Sequence, residues 1–254
     1  MGRKKENKQG ICCICGSEGE LTFEHVPPKS AYNKDTVIKY KLDNMTDITT
    51  LEKKGRKLQG GIGSYTLCPK CNNDTGAWYG GEYVKWARNS YDIIWQLRKN
   101  KQSFCRVLLY DVYPLRFLKQ VITCHLSNSN VPNFSTYMPD LADFISNKSC
   151  TDLPSDIRVF LSLYSASDTT NLRRWSNVSR RTIIQGEQGL IIGESIIFDE
   201  ITHPPFQLVM TEENQNYPHS TEITNFSKYR YDESDNLTID LRMLSSSSPY
   251  PGQG

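Results

Sequence analysis

An α+β fold is predicted, with a cysteine-held front part and a β-rich back part. Three observations predict it. Two Cys-x-x-Cys pairs, Cys12/Cys15 and Cys68/Cys71, bracket a short strand-like stretch, Leu21–His25. Apolar side chains recur at three- and four-residue spacing from Tyr83 to Leu97, as on one face of a helix. Beyond residue 156, several short segments alternate or cluster apolar residues as strands do.

Taken in order, 1–10 is a charged stretch and predicts a flexible basic arm. Ile11–Gly19 is a knuckle whose Gly16 and Gly19 permit tight turns. Leu21 and Phe23 then face one way on a strand that Pro27-Pro28 ends, since neither proline can donate to a ladder. Lys29 to Gln59 is polar and irregular, an elaborated loop with a lysine-rich patch (Lys53, Lys54, Arg56, Lys57) and a short helix near Ser30–Asn33. Ser64–Leu67 is a brief strand leading into the second knuckle. Asn72, Asn73 and Asp74 follow as good N-cap residues for the helix that carries Tyr83, Trp86, Ala87, Tyr91, Ile94 and Leu97. Phe104–Tyr110 is a strand, and Pro114 opens a further helix with Leu115, Leu118, Val121, Ile122 and Leu126 inward. Ser127–Thr136, rich in Asn, Ser and Pro, is a boundary, and Asp140–Ser146 a short helix. Strands are expected at Ile157–Tyr164, Thr182–Gln185, Leu190–Phe198, Phe206–Thr211, Ile223–Tyr231 and Leu237–Leu244, with a turn at Gly186–Gly189. The chain divides into an arm (1–10), a zinc-knuckle domain (11–100), a mixed then β-rich accessory domain (101–244) and a disordered tail (245–254).

Composition narrows the function classes. No apolar run approaches the roughly 20 residues a spanning helix needs, and mean hydropathy is −0.54. The charged N-terminus lacks an apolar core of a secretory signal, so a cytoplasmic location is expected. Five of eight cysteines fall in two tight clusters, the pattern of metal knuckles rather than of a disulfide framework. Net charge is only +2, but residues 1–130 carry +9 and 131–254 carry −7. A basic half holding the knuckles suits a polyanion; an ordinary solvated surface with a basic tail is the plainer account.

Two CxxC turns each offer two thiolates, the donor set of a closed tetrahedral zinc site built from Cys12, Cys15, Cys68 and Cys71. Such a site leaves no open coordination position, so this zinc is structural. Cys13 is spare in that register.

These parts in this order resemble the HNH endonuclease family, the ββα-metal or His-Me finger nucleases, in the form with two CxxC knuckles. The resemblance covers roughly residues 11–90: Cys12-x-x-Cys15, then Glu24-His25 followed by Val26-Pro27, then Cys68-x-x-Cys71-Asn72 opening a helix. It implies a zinc-stabilised ββα-metal core followed by helices and a β-rich C-terminal domain. It also implies metal-dependent hydrolysis of a nucleic-acid phosphodiester, DNA favoured over RNA. His25 would be the general base taking a proton from the attacking water. Glu24 and Asn72 would hold a catalytic divalent ion, Mg2+ or Mn2+, through hard oxygens. Two departures stand out. The family's middle Asn is missing just before the second knuckle, where Gly61–Thr66 stands, which leaves three alternatives: a backbone group takes its role, Ser64 takes it, or the loop is held another way. The last ligand is Asn72 rather than His, with Asn73 as a competitor.

Plainer readings stand beside these. Glu24-His25 alone would be a surface pair before a Pro-Pro turn, and Asn73 and Asp74 helix caps. Lys29 and Lys70 are expected to be solvated, His125, His203 and His219 structural or exposed, and the Tyr83/Trp86/Tyr91 stripe core. Many standalone HNH proteins of this general layout act in restriction, phage defence or mobile elements, a biology that the resemblance implies only loosely. The competing functions are a non-catalytic zinc-containing nucleic-acid-binding module and a protein-interaction adaptor working through the acidic half. No membrane partner is expected. Double-strand cutting by a single site would call for a homodimer, and defence nucleases can await an activating protein partner.

Overall fold

The computed structural model describes residues 8–39, 56–128, 134–165, 176–180, 198–212, 217 and 220–244. The front part contains β1 (Lys8–Ile11), β2 (Glu18–His25), β3 (Val37–Lys39), β4 (Arg56–Leu58) and β5 (Gly63–Leu67). Helices α1 (Pro69–Thr75) and α2 (Gly81–Lys99) follow, joined by one π-helical turn, Gly76–Gly80. Then come β6 (Phe104–Val112), α3 (Pro114–Asn128), α4 (Phe134–Tyr137), α5 (Pro139–Ser146) and β7 (Ile157–Tyr164). The chain continues with β8 (Ser176–Arg180), β9 (Phe198–His203), β10 (Phe206–Glu212), β11 (Thr221–Glu222), a 3-10 turn (Thr224–Lys228) and β12 (Asp235–Leu244). The fold is mixed α+β.

Two sheets share the core. The small one runs β1-β2-β5, all antiparallel. The large one runs β6-β12-β7-β10-β9-β8, with β11 also on β7; only the end of β12 pairs with β7 in parallel, Met243 beside Leu163. Between them lies α3, buried from Pro114 to Ser127 apart from Arg116. A helix apolar on one face would need one partner. This one meets the π turn and β5 on the small-sheet side and β9 and β10 on the other. Its Phe117 stacks on Trp86 (4.1 Å between centroids, 13° between planes) and meets Tyr83 and Phe206. The Tyr83/Trp86 stripe is therefore core, as its spacing predicts.

Several expectations are corrected. Lys8–Gly10 are not an arm but most of β1, paired with Gly19–Leu21. Ser30–Asn33 is turn, not helix. The helix after the second knuckle starts at Pro69, not at the asparagines. Cys68 is its N-cap, its Sγ accepting from the Cys71 amide, so Asn72 to Asp74 lie inside the first turns. Gly76 and Gly80 bound the π turn and Gly81 opens α2, so the helical path passes through all three. Ser127 is the buried end of α3 rather than boundary loop. Ile223–Tyr231 coils into the 3-10 turn because Phe226 goes to the core and Thr224 Oγ1 caps the Val159 amide. The strand expected at Thr182–Gln185, the Gly186–Gly189 turn, most of Leu190–Phe198, Lys53, Lys54, His219 and the 245–254 tail lie outside the described residues.

Candidate functional site

The first knuckle is a tight turn. Cys12 donates its amide to Ser17 O and accepts from Gly16 N, both 2.9 Å, with Gly16 at φ +69°, a left-handed position that favours glycine. The next amide, of Cys13, bonds Thr66 O on β5 (2.9 Å), so the turn is tied beside the second knuckle. The result is one cluster: the Sγ atoms of Cys12, Cys15, Cys68 and Cys71 all lie within 4.8 Å of one another. Cys15 and Cys68 are 3.8 Å apart. Two thiolates on one zinc at about 2.3 Å and tetrahedral angles would be separated by nearly that distance. Cys71 hydrogen-bonds to Cys12 and so holds the Cys12 thiol down at about 4, while the same contact drives Cys71 upward. A divalent ion bound among the four sulfurs would take the place of these S–H contacts and deprotonate the thiols it binds. The cluster is the ligand set that the CxxC register predicts. Cys13 stays outside it, with burial pushing its thiol up.

β2 carries the other candidates. Along it, Thr22 and Glu24 point toward the helices while Phe23 and His25 point outward. Glu24 is buried, and its Oε2 accepts from Ser127 Oγ at the end of α3 (2.7 Å). Desolvation raises its carboxyl to about 7, against the Ser127 bond, which lowers it. On the same face, Asn72 Nδ2 donates to Thr22 Oγ1 (2.8 Å), and Asn72 Oδ1 accepts no hydrogen bond among the described residues. Asn73 is exposed and Asp74 pairs with the solvated Lys70 (2.7 Å). Of the three residues after Cys71, Asn72 is the one that reaches β2.

His25 closes the strand on the outer face. Its Nε2 lies 2.9 Å from Gly60 O. A carbonyl only accepts, so Nε2 carries the proton and the ring's lone pair sits on Nδ1. Gly60 presents that carbonyl from φ +85°.

Sequence reasoning missed Asn33. It is buried, its Nδ2 donating to Pro27 O and Ile62 O and its Oδ1 accepting from Ile62 N, all at 2.7–2.8 Å. One amide thus staples the loop after His25 to the Gly60–Gly63 loop. Gly61 must be glycine to pass it: a Cβ there would lie 2.1 Å from Asn33 O. Ser64 plays no such part; its hydroxyl donates to Ser127 O, as does that of Thr66 (3.1 Å). The signal available in sequence was the pairing of an isolated Asn with a Gly-Gly loop, which no hydrophobic period reveals.

His125 is buried on α3, and His203 Nδ1 donates to Pro204 O (2.8 Å). Lys29 is exposed. Among the described residues, no helix is long and apolar enough to cross a membrane. No protein-family model, curated protein or solved structure matches the chain.

Proposed function

We propose that this chain hydrolyses phosphodiester bonds of nucleic acid, DNA in preference to RNA, in the manner its resemblance to the HNH nucleases implies. The supporting observation is one linkage. Asn72, next to the ligand Cys71, hydrogen-bonds the strand that carries Glu24 and ends at His25. The cysteine cluster holds both ends of that unit, so residues 24, 25 and 72 belong to one strand–strand–helix assembly.

His25 acts through Nδ1, the atom left free to accept a proton from water while Gly60 fixes the ring. Glu24 and the Oδ1 of Asn72 are hard donors that would hold Mg2+ or Mn2+, and the ion supplies positive charge to the phosphate and the leaving oxygen. The donor set fits such an ion. Glu24 is a buried carboxyl raised to about 7 that no lysine or arginine answers among the described residues.

A second reading is a zinc-containing nucleic-acid-binding module without catalysis. What favours it is that Glu24 faces α3 while His25 faces outward. The two readings are separated by incubating the zinc-loaded protein with supercoiled plasmid, linear DNA and RNA, with and without added magnesium or manganese. The hydrolase reading expects ion-dependent cleavage that His25→Ala lowers by about 10²–10⁴-fold. Binding without cutting under every ion would establish the binding module instead.

A further inference from the structure

The outer face of the small sheet carries a row of rings beside His25 that the hydrolase reading leaves unused. Phe23, on the central strand β2, meets His25 at 5.0 Å between centroids and 89°, and Tyr65 on β5 at 5.3 Å and 67°. The near-perpendicular packing on both sides fixes the orientation of the Phe23 ring while the residue stays 41% exposed. Gly63 packs beneath it: a Cβ there would come 1.9 Å from Glu24 O and 2.9 Å from Phe23 Cζ. At the Tyr65 end, Lys8 on β1 sets its Nζ 4.8 Å over the ring.

Charge is sorted between the two faces. Strand alternation sends Glu18, Glu20 and Glu24 to the side opposite Phe23, so no carboxylate of β2 stands in the row. The same alternation puts Leu21, buried and paired with Lys8, on this face as well, so the accessible part of the row is Lys8, Tyr65, Phe23 and His25: a cation, two exposed or half-exposed aromatic rings and an imidazole. A hydrophobic partner would be served by the rings, but not by a lysine at one end and a polar imidazole at the other. Nucleobases fit all four, offering a π-face to each ring and a phosphate to each cation or donor.

We propose that this face is a stacking platform for unpaired bases, so that the substrate engages as a single strand. The proposal rests on the nucleic-acid reading above and adds to it the state of the substrate. A duplex keeps its bases stacked on one another and offers none to Phe23. A single strand, or the unpaired part of a branched or frayed molecule, lays a base on Phe23, a phosphate toward Lys8 and the adjoining phosphodiester toward His25.

The test is binding, measured by fluorescence anisotropy without added magnesium or manganese. The probes are a labelled mixed-sequence oligonucleotide and the same strand annealed to its complement, in DNA and RNA forms. The wild type is expected to prefer the single strand. Phe23→Ala is expected to weaken single-strand binding roughly tenfold while changing duplex binding by less than about twofold. Phe23→Trp is expected to restore it, and Lys8→Ala to flatten its salt dependence. Zinc content and circular dichroism equal to wild type certify the fold of each variant. The platform is overturned if Phe23→Ala leaves single-strand affinity within about twofold, or if single strand and duplex lose equally. These outcomes are independent of cleavage. A protein that cuts nothing but needs Phe23 to hold a single strand keeps the platform and loses the hydrolase; one that cuts but holds the single strand equally well after Phe23→Ala does the reverse.

Discussion

Glu24 sits where a carboxylate is costly. Burial raises it to about 7 from an ordinary 4.5, and Ser127 offsets only part of that. Between those two values the folded chain holds a proton that the unfolded chain has released, so stability falls as pH rises through this window and is level above it. Glu24→Gln keeps an acceptor for Ser127 and cannot ionise. With no divalent ion added, we expect it to be more stable than wild type at pH 8 by about 1–3 kcal/mol, and nearly equal to it at pH 4.5. Urea denaturation at the two pH values checks this; an advantage that does not change with pH would mean that the carboxyl is not desolvated. On the hydrolase reading proposed above, the same variant is also expected to lose cleavage. At this scale the CxxC spacing identified all four clustered thiols and excluded Cys13, because metal-ligand spacing is local. The directions of Glu24 and His25 follow from strand alternation. What covers each does not, because Ser127, Gly60 and Asn33 come from distant turns.

Among the elements, α3 depends on a lysine. Lys119 is fully buried and gives its Nζ to Phe144 O (2.6 Å) and Asn147 O (2.8 Å) at the C-terminal end of α5, with the Phe144 ring 4.3 Å away. Burial draws the amine down to about 8, partly offset by Cys150, while converging carbonyls and the negative end of a helix favour the charge. Lys119→Met keeps the aliphatic stem and removes the donors, leaving helix-end carbonyls buried and unanswered. The expected cost is about 2–3 kcal/mol, read as a lower urea midpoint at unchanged slope. An unchanged midpoint would show that water reaches those carbonyls. Elements with a long clean period, α2, α3, β7, β10 and β12, are legible in the sequence. Those set by tertiary contact are not. The 3-10 turn at Thr224–Lys228 has strand-like composition, yet Phe226 reaches the core from it; β1 is polar and forms because β2 offers it an edge. The start of α1 is hidden because a cysteine, rather than Ser, Asp or Asn, supplies its cap.

For the whole molecule, the question is whether the cysteine cluster stabilises only its own corner. Its cysteines lie in two short segments, 12–15 and 68–71, so an ion bound among them would close a long loop of chain. One continuous buried core runs from Cys12 through α3 to Leu241, which leaves no seam at which the small sheet could melt alone. We therefore expect about one zinc per chain and a single thermal transition that falls as a unit when the metal is stripped or Cys71 is changed to Ser. Structural zinc contributes several kcal/mol or more to folding. At about 2–4 °C per kcal/mol for a chain of this size, the midpoint should drop by roughly 10 °C or more. Calorimetry on zinc-loaded and stripped protein measures both the number of transitions and their positions. Two separate transitions, the upper one indifferent to zinc, would mean that α3 does not couple the sheets. A zinc content well under one with an unchanged midpoint would remove the cluster from the account of stability altogether, and with it the anchor that ties Asn72 to the strand of Glu24 and His25.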